Sequence, residues 1–65
     1  MTNNLPTPEA AAAYVIDVET SWGLASRVLS VELDCENEGC LEVWTEANTW
    51  SVWIEGIDGT LYGEC

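Results

Sequence analysis

The chain has 65 residues, of which twelve are carboxylates and one, Arg27, is basic; with no histidine its formal charge is -11. This length supports one small domain, and the self-repulsion of that charge works against compaction. Yet 48% of the residues are hydrophobic and four are Trp, which excludes a disordered acidic tail.

Residues 1–6 read as a flexible polar arm ending at Pro6. Thr7-Pro8-Glu9 is a helix start, with Thr as N-cap, Pro at the first helical position and Glu in the first turn. Ala11, Tyr14, Val15, Val18 and Trp22 then recur at helical spacing as one apolar face. Asp17 and Thr20 lie off it, and Gly23 is a stop. The spacing predicts a helix over about 8–22.

From residue 28 the period changes to two, which predicts strands over about 28–36, 40–46, 49–56 and 60–64. Leu29, Val31, Leu33 and Cys35 point inward on the first, Leu41 and Val43 on the second, Trp50, Val52 and Ile54 on the third. Leu61, Gly63 and Cys65 follow on the fourth. Asn37-Glu38-Gly39 suits a three-residue hairpin loop, setting Cys35 opposite Leu41 and Leu33 opposite Val43. Ala47-Asn48 closes a two-residue turn, setting Val43 opposite Val52. Asp58-Gly59 closes another, setting Ile57 opposite Thr60 and Glu55 opposite Tyr62. The expected fold is α+β: one N-terminal helix packed on a three- to four-stranded antiparallel meander.

The same register loads the uncovered face with acid. Asp34 lies across from Glu42, Glu42 across from Trp53, and Trp53 across from Glu64. Glu32 sits beside Trp44 with Glu46 continuing its row, while Glu36 and Glu38 crown the first hairpin. Like charges paired across a sheet destabilise it, and Arg27 can neutralise only one of them. A local-rule violation of this kind marks a functional surface. Trp44 and Trp53 on the same face suggest contact anchors, because arginine pairs with carboxylates and stacks on indoles. The candidate partner-binding residues are therefore Glu32, Asp34, Glu36, Glu38, Glu42, Glu46, Trp44 and Trp53.

This pattern suits a basic protein partner that ordinarily binds nucleic acid, with no direct binding of nucleic acid by the chain itself. A very short, very acidic, Trp-containing domain with a helix ahead of its strands resembles the phage-encoded inhibitors that mimic DNA. Anti-CRISPR proteins are among them, and those directed against a type I-C system come nearest. The resemblance covers size, charge and element order over the whole chain. It implies a target in the Cascade complex and blocked recognition of duplex DNA, and it carries no site residue with it.

Two other readings stand beside it. The Trp and acidic face suits a homodimer or adaptor. Asp34, Glu36, Glu38 and Gly39 match the first half of a calcium loop, but its twelfth position is Thr45, where a bidentate Glu belongs. No metal or cofactor is expected. Neither is catalysis: the chain has no His or Lys, no Gly-rich phosphate loop and no cation near a Cys to activate it. Three Cys without His do not make a zinc site. Cys35, Cys40 and Cys65 are expected reduced, mostly packed as small hydrophobes, with a Cys35–Cys40 bridge open on oxidation. No basic leader precedes Ala10–Ile16, and no apolar run nears the ~20 residues that span a bilayer. The expected location is the host bacterial cytoplasm.

Overall fold

The computed structural model describes residues 5–65. Most of the arm expected over 1–6 lies outside them, but Pro6 is buried and belongs to the fold. Helix α1 spans Pro8–Ser21. The Thr7 hydroxyl accepts the Ala10 amide at 3.1 Å, taking up one of the unpaired donors of the first turn. At the other end Gly23 adopts φ +86°. That left-handed residue lets the Gly23 amide donate to Thr20 O and the Leu24 amide to Glu19 O, both at 2.9 Å, which closes the helix.

Four strands follow, β1 Val28–Leu33, β2 Cys40–Thr45, β3 Thr49–Glu55 and β4 Thr60–Glu64. They form one antiparallel sheet in chain order. The expected meander is present, but all three hairpins sit two residues away from the expected register. Leu33 pairs with Leu41, Leu41 with Val52, and Ile54 with Leu61. Each shift has a side-chain cause. The Asp34 carboxylate accepts the Glu36 and Asn37 amides, so β1 ends early and the loop lengthens. The Thr45 hydroxyl accepts the Ala47 and Asn48 amides, which moves the second turn to Glu46-Ala47. Gly56 and Gly59 both take positive φ and Asp58 accepts the Thr60 amide, widening the third turn to four residues. A slip of two keeps every side chain on its face, so the burial pattern survives a wrong register.

Strand β1 departs further. A bulge between Val28 and Ser30 leaves Leu29 out of the pairing and 62% exposed. Val28 and Val31 are three residues apart and both pack on the core; an odd spacing fits one face only across such an insertion. Leu33 is 66% exposed, beyond the reach of α1. Leu29 and Leu33 therefore do not join the covered face as expected. Cys35 and Cys65 are exposed rather than packed, and only Cys40 is half-buried.

The core is Ala11 and Val15 of α1 against Leu41, Val43, Trp50 and Val52, flanked by Tyr14, Val18, Val28 and Val31. A fully buried valine stabilises by about 1.5–3 kcal/mol, and Val15, Val43 and Val52 are all fully buried. Trp22 stacks on Trp50 with ring centroids 5.3 Å apart. Gly63 leaves room for the Tyr14 ring: a Cβ there would lie 2.9 Å from Tyr14 Cε2 and 3.2 Å from Ser51 O.

One carboxylate belongs to this core. Glu19 is 1% exposed, and its Oε2 accepts from the Trp50 indole at 2.7 Å, the Thr45 hydroxyl at 2.8 Å and the Asn48 amide at 3.1 Å. Oε1 and the Ser26 hydroxyl are buried without a well-formed bond, although the hydroxyl still favours the ionised carboxylate. Burial alone pushes this carboxyl up, but the hydrogen bonds from Trp50, Asn48 and Thr45, with the Ser26 hydroxyl nearby, outweigh it and hold it at about 2.

Candidate functional site: the acidic sheet face

Helix α1 packs on one side of the sheet, and among the described residues no second helix or strand lies over the other. The outward side chains are set by strand parity. One row across the sheet runs Glu32, Glu42, Ser51, Glu64, through the pairs Glu32–Glu42, Glu42–Ser51 and Ser51–Glu64. A second contains Cys40, Trp53 and Tyr62, and a third Ser30, Trp44 and Thr49. The register replaces each of the expected outer pairings. Glu42 opposes Glu32 rather than Asp34, Trp53 opposes Cys40 and Tyr62 rather than Glu42 and Glu64, and Trp44 opposes Ser30 rather than lying beside Glu32. Glu55 opposes Thr60 rather than Tyr62.

Glu32 and Glu42 are thus two carboxylates in direct cross-strand register. Neighbouring strands lie ~4.8 Å apart, so the pair carries a repulsive term of about 0.2–1 kcal/mol. Among the described residues no cation offsets it. Arg27, the chain's one basic residue, pairs with Glu46 through Nη2 at 3.2 Å. The Arg27 amide also donates to Glu46 at 3.1 Å. Glu46 lies in the β2–β3 turn and does not continue an outer row. Its ion pair is well exposed and contributes no more than ~1 kcal/mol.

Asp34 stands on the same side but has a different role. Its Oδ1 accepts the Glu36 and Asn37 amides at 3.0 and 3.2 Å. Its Oδ2 accepts Asn37 Nδ2 at 3.3 Å and the Ser51 hydroxyl at 2.9 Å. The Glu36 amide first, then Ser51 and Asn37, hold this carboxyl below its usual range. Asp34 therefore builds the loop that carries exposed Glu36 and Glu38. The oxygens matched to a calcium loop do not converge: among the described residues no three acidic or Cys side chains could hold a metal ion.

Both outer tryptophans are held by a carboxylate two residues away on the same strand. The Trp44 indole donates to Glu42 at 2.9 Å and the Trp53 indole to Glu55 at 3.2 Å. Trp44 is exposed and Trp53 half-buried. Beside Trp53 an open groove of about 290 Å3 is lined by Asn37, Cys40, Ser51, Trp53 and Glu64. Burial, then the nearby Asp34 charge, pushes the Cys40 thiol up, leaving it a weak nucleophile.

Of the eight residues expected to meet a partner, Glu32, Asp34, Glu42, Trp44 and Trp53 share this face, Glu36 and Glu38 edge it, and Glu46 is engaged with Arg27. Glu64, Ser51 and Tyr62 belong to the face as well. Parity along β4 already pointed Glu64 and Tyr62 outward; only the register places Ser51 between Glu42 and Glu64. No helix among the described residues is long and apolar enough to cross a membrane. No protein-family model, curated protein or solved structure matches the chain.

Proposed function

We propose that the protein is an inhibitor that imitates a nucleic-acid backbone, filling a basic groove so that DNA is excluded from it. The observation that carries this reading is the uncompensated Glu32–Glu42 register, continued by Glu64 on a bare sheet face while Arg27 is occupied at Glu46. Folding gains no ion pair from that arrangement, whereas a groove lined with Lys and Arg would supply one. The resemblance in size, charge and element order makes a bacterial defence complex the first target to test, with a type I-C Cascade complex at its head. Inhibition is stoichiometric and needs no cofactor, and encounter is accelerated by charge and weakened by salt.

The test is capture. Tagged protein is mixed with lysate from bacteria carrying a type I-C system, and bound material is challenged with duplex DNA and separately with salt. Basic nucleic-acid-binding subunits should be retained, and should be released by DNA and by ~0.5 M salt, where screening lengths fall to a few Å. Retention that survives both treatments would instead favour a Trp-centred adaptor or dimer.

A further inference from the structure

We infer that the groove beside Trp53 receives one arginine side chain of the partner; this rests on the polyanion reading above and names the contact at its centre. At about 290 Å3 the groove is at or below the lower end of small-molecule sites, ~300–1,000 Å3. It suits a single side chain better than a nucleotide. One wall is the Trp53 ring, fixed by its indole bond to Glu55, with Tyr62 as its cross-strand neighbour. Another wall is Glu64. At the loop end, Asn37 uses its amide nitrogen on Asp34, which leaves its side-chain oxygen free to accept.

The site thus combines an aromatic ring, a carboxylate and a neutral acceptor, and two of its lining residues, Asn37 and Ser51, are hydrogen-bonded to the Asp34 carboxylate. The chain's one basic side chain is tied to Glu46, so no side-chain cation competes for the groove and an anion would be repelled. The complementary group is a planar cation that stacks on one side and donates hydrogen bonds in its own plane. That is guanidinium, and it is not lysine's compact, strongly hydrated ammonium.

Two peptides of equal charge, nine arginines and nine lysines, test this against the intact protein at low salt, with the indole N–H signals of Trp53 and Trp44 followed by NMR. The arginine peptide should bind at least about threefold more tightly, the scale of one cation–π contact, and should shift Trp53 more than Trp44. Trp53→Leu should abolish the arginine preference, and Glu64→Gln, a surface change that leaves the core intact, should reduce it. Equal affinity for the two peptides, or an arginine preference unchanged in both variants, would overturn the groove assignment while leaving polyanion mimicry standing. Failure of both peptides to bind at low salt would remove the polyanion reading itself.

Discussion

The two faces of the sheet treat carboxylates in opposite ways. On the covered face Glu19 is alone and supplied with three donors on one oxygen. On the bare face Glu32 and Glu42 oppose each other with no cation beside them. Glu19 reaches its donors on β2, β3 and their turn from helix α1, whereas Glu32 and Glu42 are brought together by strand pairing with no helix over them. A buried charge is tolerated only when it is satisfied. An exposed pair of like charges is tolerated when water screens it, and is useful when a cation replaces the water. The chain's acidity thus has two parts, one that holds the fold together and one that strains it slightly.

The largest effect should come from Glu19. Glu19→Ala removes the acceptor of the Trp50 indole, the Thr45 hydroxyl and the Asn48 amide, at a cost of about 1–3 kcal/mol for each that stays buried and unpaired. A domain of this size has roughly 3–10 kcal/mol in total, so urea denaturation followed by Trp fluorescence should show a strongly lowered midpoint. A near-normal midpoint would sink the structural role. Acid should reproduce part of this loss. The folded carboxyl at about 2 lies below its ordinary value of 4.5, so its stabilisation is complete above ~4.5 and disappears as pH falls toward 2. Glu19→Gln should flatten that part of the stability–pH curve.

Gly63 sharpens the account of the covered face. Gly63→Ala would set a Cβ 2.9 Å from the Tyr14 ring and 3.2 Å from a backbone oxygen. The ring can yield but the backbone cannot, and overpacking of this kind costs typically 1–3 kcal/mol. Thermal unfolding of the variant measures it, and an unchanged midpoint would mean that Tyr14 is not seated as described.

How much of this was legible in the sequence follows from the periods involved. Thr7-Pro8 and Gly23 gave both ends of the helix because caps act locally. Period-two alternation gave the faces, and those survive any even slip. Register was not legible, because the carboxylate of Asp34 and the hydroxyl of Thr45 decide where each turn closes, and both residues read equally well as strand. The bulge at Leu29 was hidden for a related reason: only the core shows that Val28, not Leu29, fills the space. The burial of Glu19 is legible by the same helical periodicity. This residue falls four residues after Val15 on the apolar stripe, and a lone carboxylate on such a stripe signals a buried network. On the bare face the membership of Glu32, Glu42, Trp44 and Trp53 was readable from parity. The direct pairing of Glu32 with Glu42, and the structural use of Asp34, were not.

The smallest stability effect bears most on function. Glu32→Gln with Glu42→Gln removes a cross-strand repulsion and should stabilise the fold by a few tenths of a kcal/mol up to ~1. The decisive measurement is a titration of this double variant and the parent protein against duplex DNA bound to a type I-C surveillance complex at fixed low salt. The parent should displace DNA stoichiometrically, and the better-folded variant should need about tenfold more protein, a difference of ~1.4 kcal/mol. Equal displacement by the two proteins, or none by the parent, would contradict polyanion mimicry.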